Sequence, residues 1–196
     1  MTGKKVNNNL SNGVKKLKPI ELRNRPPTKG ELKKIKKNPI YIIIDNVLDT
    51  YNIGAIFRLA DATACEKVIL CGDTEIPPNT KIKRASINTT EWVEWSYAPT
   101  AVEALQKLKI KNEKLKIVAI EQDPRSVPYT NIEYSFPLAL VVGHETRGIS
   151  KDALDVSDAI VELPMFGINN SMNVMVSLGI VLYKTIEKLA PSEAEG

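Results

Sequence analysis

The feature that most constrains this chain is a set of short apolar runs that recur from residue 40 onward: Ile40–Ile44, Val68–Cys71, Leu115–Ile120 and Leu138–Val142, with Ile160–Leu163 as a weaker fifth. Each is too short for a buried helix and too uniformly apolar for a strand with one wet face, so each reads as an interior strand covered on both sides. Stretches of helical periodicity separate them. The alternation predicts an α/β domain with a mainly parallel sheet and helices on both faces. At 196 residues, 43% of them hydrophobic, one compact core is the expected organisation.

The first intervening helix carries Ile53, Ile56, Phe57, Ala60 and Ala64 on one stripe, with Asn52 placed as its N-cap. Arg58 falls about 140° from Ile53, away from the centre of that stripe. A second helix is expected over roughly Thr100–Leu108. The last, from about Met172 to Leu189, points Val174, Met175, Val176, Leu178, Ile180, Val181, Leu182 and Tyr183 in nearly every direction. A helix apolar all round must be buried all round. At the end of so small a domain one face can rest on the sheet while the other meets a second copy, which predicts a homodimer.

Charge divides the chain in two. Residues 1–38 hold twelve Lys and Arg against Glu21 and Glu31, a net +10, while residues 39–196 carry fifteen basic and twenty-one acidic side chains, a net −6. A basic extension attached to an acidic body suggests a polyanionic partner met first by the N-terminus. Residues 1–19, rich in Asn and Lys, read as a flexible tail. Thr28-Lys29-Gly30-Glu31 has capping-box spacing and opens a short basic helix that stops at Pro39, with only Leu32 and Ile35 to anchor it.

Cys65 and Cys71 are too few for a disulfide framework or a thiolate metal site, and His144, the only histidine, cannot complete a His-rich zinc centre, so no metal is expected. The N-terminus has no apolar signal core, and the C-terminal apolar stretch is broken by Asn173, Ser177 and Gly179. The expectation is a cytoplasmic protein with no membrane segment.

Ligands of open α/β sheets sit beyond the carboxyl ends of the strands, so the loops there are where chemistry is sought. The first, Asp45-Asn46-Val47-Leu48-Asp49 followed by Asn52-Ile53-Gly54 and Arg58, has no dinucleotide or phosphate-loop glycine pattern. Asn52, Gly54 and Arg58 could face an anion, or could be a cap, a close-packing glycine and an Arg paired with Asp61. The second, Gly143-His144-Glu145-Thr146-Arg147-Gly148-Ile149, sets a carboxylate between two glycines; Glu145 and Arg147 could also be a solvated loop pair, and His144 invites a general-base role but has no second His and no Ser or Cys nucleophile motif beside it. The third runs from Leu163-Pro164-Met165-Phe166-Gly167 to Asn169-Asn170-Ser171-Met172-Asn173, with Ser171 as a natural N-cap of the last helix.

Taken in order over about residues 39–189, these three loops resemble the three motifs of the SPOUT superfamily of RNA methyltransferases, in the TrmH/SpoU branch that methylates ribose 2′-hydroxyls. The resemblance implies a parallel sheet whose C-terminal segment threads a trefoil knot, an obligate homodimer, and S-adenosylmethionine held by Ile120, Glu121, Val142, Gly143, Leu163, Met165, Ser171 and Met172. It implies catalysis centred on Arg58, positioned by Asn52 and aided by Glu145, Ser171 and Asn173. Because a guanidinium is a poor proton acceptor, its expected part is to stabilise the developing alkoxide. His144 stands where the family often has Asn, and Met172 replaces a common Leu. Thirty-eight residues cannot form the separate RNA-binding domain that some relatives carry, which tilts the expected substrate from rRNA toward tRNA. A fold that kept RNA binding or ribosome assembly and lost catalysis is the alternative, and a flavodoxin-like small-molecule domain fits the loops less well.

Overall fold

The computed structural model describes residues 16–189. Along the chain run α1 (Pro19–Asn24), α2 (Lys29–Lys33), β1 (Asn38–Asp45), α3 (Thr50–Ala62), β2 (Cys65–Cys71), α4 (Thr80–Ser86), β3 (Trp95–Ala98), α5 (Ala101–Lys111), β4 (Lys116–Ile120), β5 (Val127–Pro128), β6 (Leu138–Gly143), α6 (Lys151–Asp155), β7 (Ala159–Glu162) and α7 (Val174–Ile186). The seven strands form one sheet in the order β3-β2-β1-β6-β4-β7-β5, and every neighbouring pair is parallel.

All five apolar runs are strands, because both faces of the sheet are covered. Ile40, Ile42 and Ile44 of β1 pack with Ile53, Ile56 and Phe57 of α3 and with Leu178, Val181 and Leu182 of α7. On the opposite face Ile43 packs with Ala104 and Leu105 of α5 and Ala153 of α6. β3 and β5 carried no apolar run: they are the two edges of the sheet, where one flank is free and burial is partial. The short helices α4 and α6, at seven and five residues, likewise show too little periodicity to be read from sequence.

The helix boundaries bring corrections. Asp49, not Asn52, caps α3, its side chain accepting from Tyr51 N. Asn52 lies inside the helix and is buried. α7 begins at Val174 and is capped by Asn173, whose Oδ1 accepts from Met175 N at 3.0 Å, so Ser171 and Met172 precede the helix. α7 is also covered on one side only: Leu178, Val181, Leu182 and Thr185 are buried, while Val176, Ile180 and Tyr183 stay 40%, 36% and 51% exposed. The second helix ends at Lys111 rather than Leu108, with Thr100 as its cap.

In the basic extension, Thr28 and Glu31 form the expected capping box at the start of α2, Glu31 N donating to Thr28 Oγ1 at 3.2 Å and Thr28 N to Glu31 Oε2 at 2.7 Å. Leu32 and Ile35 are half-buried. The flexible tail expected over residues 1–19 lies outside the described residues up to position 15, and its end enters α1, a helix the sequence did not announce. The carbonyl of Leu22 in α1 accepts from Asn88 Nδ2, so this part of the extension is tied to the body.

Candidate active site

β4, β6 and β7 end side by side, and the loops that follow them wall a cavity of about 400 Å³. The parallel register brings these ends level with that of β1, where Asp45 pairs with Gly143. Ile120, Glu121, Val142, Gly143, Leu163, Met165, Ser171 and Met172, the residues expected to hold S-adenosylmethionine, all line the cavity, and so do Glu145 and Asn173.

The 143–150 loop is closed on itself and pinned at its far end. His144 and Gly148 exchange backbone hydrogen bonds at 3.0 and 2.9 Å, and His144 Nδ1 accepts from Thr146 N at 3.0 Å and from Arg147 N at 3.3 Å. That lone pair belongs to the turn, which removes Nδ1 from any role as general base. Glu121 Oε2 accepts from Ile149 N at 2.9 Å, and the buried Asp45 Oδ2 accepts from Ser150 N at 2.8 Å. Gly143 sits so close to the returning strand that a Cβ would land on the backbone of Gly148 and Ile149. Gly148 has φ +68°, and a Cβ there would meet the Glu121 carboxylate.

Asn52 joins the three loops. Its Oδ1 accepts from Asn173 Nδ2 at 2.9 Å, and its Nδ2 donates to Glu145 Oε1 at 3.0 Å. Glu145 in turn accepts from Asp49 N at 3.1 Å and Leu48 N at 3.3 Å. Burial pushes the Glu145 carboxyl upward, but the donations from Asn52 and from the loop backbone outweigh it and hold the group below the usual carboxylate range. The third loop folds back on itself, with Ser171 N and Oγ both reaching Asn169 Oδ1, and Gln122 Nε2 donating to the carbonyl of Asn170.

Four of the five residues expected to serve catalysis are thus assembled, Asn52 behind the cavity wall and Glu145, Ser171 and Asn173 in it. Arg58 is not with them. It stands exposed on the outer side of α3, six residues and about 120° round from Asn52. Among the described residues it has no hydrogen bond or ion pair, and Asp61, the alternative partner at i+3, accepts from Trp92 Nε1 at 2.7 Å instead.

Asn169 of the third loop also lines the cavity, and so do Gln122 and Glu162, which were missed. Glu162 is the last residue of β7 and Gln122 lies two residues beyond β4, so searching the last residue of every strand and the two that follow it would have found both. With Glu121 and Glu145, Glu162 makes the lining acidic, and no Lys or Arg contributes to it. A polar, acidic cavity of this size with a partly apolar wall suits a small ligand carrying positive charge and disfavours a phosphate-bearing one. Both cysteines are buried, Cys65 pushed up to about 11 by burial and Cys71 to about 12 by burial and the Asp45 charge, which makes neither a nucleophile. Among the described residues no group of three His, Cys, Asp or Glu is placed to hold a metal ion.

Residues 39–183 match the model of the SpoU rRNA methylase family. The chain is 30% identical over 153 residues to the tRNA (guanosine(18)-2′-O)-methyltransferase of Aquifex aeolicus, covering 76% of this chain and 69% of that protein. It is 26% identical over 154 residues to the 23S rRNA (guanosine-2′-O-)-methyltransferase RlmB of Ralstonia nicotianae, covering 79% of this chain and 61% of that one. The structure superposes on the AdoMet-bound rRNA methyltransferase from Sinorhizobium meliloti with a TM-score of 0.72 at 27% identity, covering 87% of this chain and 61% of the other. The chain therefore spans roughly three fifths to two thirds of the length of these relatives.

Proposed function

The chain belongs to the SpoU rRNA methylase family, and from that premise we propose that it transfers a methyl group from S-adenosylmethionine to a ribose 2′-hydroxyl of RNA. The observation that carries this reading is the acidic cavity closed by the Asn173–Asn52–Glu145 chain. Its residues fit the cofactor: the close approach of Gly143 to the following loop leaves backbone groups at the wall, Ile120, Val142, Leu163 and Met172 offer apolar surface, and three carboxylates face a ligand whose sulfonium and amino groups are cationic. When bound, the cofactor supplies an electrophilic methyl group.

The residues of the chain then position and stabilise. Asn52 and Glu145 lock the first and second loops together, and Asn173 ties the third loop to them while capping α7, so the cavity is built before RNA arrives. A guanidinium is a poor proton acceptor, so the part of Arg58 is to stabilise, through its fork of donors, the negative charge that grows on the ribose oxygen. In its own chain Arg58 faces away from the cavity. The apolar side of α7 left uncovered, Val176, Ile180 and Tyr183, adjoins α3 where Gly179 meets Leu59. The homodimer belongs to this reading: pairing of two such faces would cover the apolar residues and let Arg58 act at the cavity of the other copy. So does the C-terminal trefoil knot, in which the segment between β7 and α7 crosses the loops after β4 and β6, a crossing supported by the Gln122–Asn170 contact.

The substrate is tRNA ahead of rRNA, supported by the higher identity to the tRNA-modifying relative, 30% against 26%, and by the larger share of that relative that the chain covers, 69% against 61%. A reducing cytoplasmic setting agrees with two buried free thiols. The test is calorimetric binding of S-adenosylmethionine followed by transfer of labelled methyl to unfractionated tRNA and to rRNA, with digestion to nucleosides. Label is expected in 2′-O-methylnucleosides. Cofactor binding without transfer to either RNA would mean a binding or assembly factor, and absence of cofactor binding would overturn the assignment.

A further inference from the structure

A second concavity, of about 450 Å³, opens between α5 and the strands β1, β2 and β3, the last an edge strand. Its floor is apolar and aromatic, with Tyr41, Ile69 and Leu108, and its rim carries Lys37, Lys67, Lys107 and Lys111. These four lysines come from three separate parts of the chain, which no local charge run explains. Glu66 and Glu94 are the only acidic residues lining it, and Glu94 sits 3.5 Å from Lys67. Among the described residues Lys37 and Lys111 have no ion pair, and Lys107 has only Glu103 at 4.0 Å.

Lys37 is also the last lysine of the Lys29–Lys37 segment, which enters β1 at Asn38. The basic extension therefore leads directly into the cleft, and Lys37 belongs to both. On β1 the cleft lies toward the amino end: Tyr41 is four residues before Asp45, a separation of roughly 13 Å along the strand. It is thus apart from the methyl-transfer cavity and shares no lining residue with it.

We propose that this cleft is a second docking site for the RNA substrate, taking a stretch of single-stranded backbone with a base laid on the Tyr41 floor. Charge complementarity selects a polyanion, and a tyrosine between lysines selects a nucleic acid strand over an acidic peptide because a base offers a π-face as well as a phosphate. The inference rests on the RNA methyltransferase reading above.

The test compares binding of the full-length protein to unfractionated tRNA across a salt series. Lys67→Gln/Lys107→Gln/Lys111→Gln is expected to bind about tenfold more weakly, with the slope of log K against log salt flatter by about 2–3, while S-adenosylmethionine binding is unchanged. Lys114→Gln/Lys116→Gln/Lys188→Gln, equal in charge but away from the cleft, is expected to behave like wild type. Glu94→Gln, which releases Lys67, should bind more tightly and steepen the slope. The proposal is overturned if the cleft variant keeps wild-type affinity and slope, if the control loses as much, or if Glu94→Gln binds no tighter. Wild-type protein that binds no RNA would remove the RNA methyltransferase reading itself, a result distinguishable from these because it appears before any substitution.

Discussion

The two sides of α3 differ in what completes them. Its inner side carries Asn52, buried and hydrogen-bonded to two loops that lie 93 and 121 residues away in sequence. Its outer side carries Tyr51, 64% exposed, and Arg58, which among the described residues touches no polar partner. The inner side is finished when the chain folds. Under the proposed function the outer side is completed by RNA, a second copy, or both. A helix can thus divide one reaction into a part that depends on folding and a part that depends on assembly, and substitutions on the two sides should fail in different ways.

The largest expected effect is on the outer side. Arg58→Ala should lower methyl transfer by about 10²–10³-fold, the cost of removing one preorganised charge stabiliser, while melting temperature and S-adenosylmethionine affinity stay at wild-type values. Arg58→Lys keeps the charge but not the fork and should lose most of the same activity. Near-normal turnover by the lysine variant beside a dead alanine variant would show that charge alone suffices. On the inner side, Asn52→Ala strips a partner from both Glu145 and Asn173 and should cost about 1–3 kcal/mol in urea unfolding. Unfolding as late as that of Arg58→Ala would erase the contrast between the two sides.

Glu145 gives a smaller effect with a defined pH window. Its folded carboxyl is held below the ordinary value, so the stability it contributes is present above the unfolded carboxylate pKa of about 4.3 and is lost as pH falls through the depressed folded value. Thermal melts of wild type and Glu145→Gln should differ at neutral pH and converge in acid; a difference that stays constant across the range would mean that the Asn52 and backbone donations do not favour the ionised form. The smallest effect belongs to Met172→Leu, a volume-conserving change on the cavity wall that should cost less than about 1.5 kcal/mol and leave cofactor affinity nearly unchanged by calorimetry.

Much of this was legible in the residues. The five apolar runs identified interior strands because a strand covered on both faces has no place for polar alternation, while Trp95–Ala98 and Val127–Pro128 escaped because edge strands are only half covered. The capping box at Thr28 was readable because both of its hydrogen bonds are local. Caps at the working loops were not: Asn52 and Ser171 look like N-caps by residue type, yet the helix starts are taken by Asp49 and Asn173, and Asn52 is spent on Glu145. Local preference lost there to partners far away in sequence.

The sequence by itself determined the layered α/β architecture and the three loops that meet at the cavity, because apolar periodicity and short motifs depend on neighbours along the chain. Only the tertiary structure decided that Asn52 turns inward and Arg58 outward, that α7 is covered on one side, and that lysines from three parts of the chain meet over Tyr41. Those outcomes depend on strand order and register, which set what lies across from each side chain. Helical spacing supplies the angle between two residues but not which of them the rest of the protein will cover.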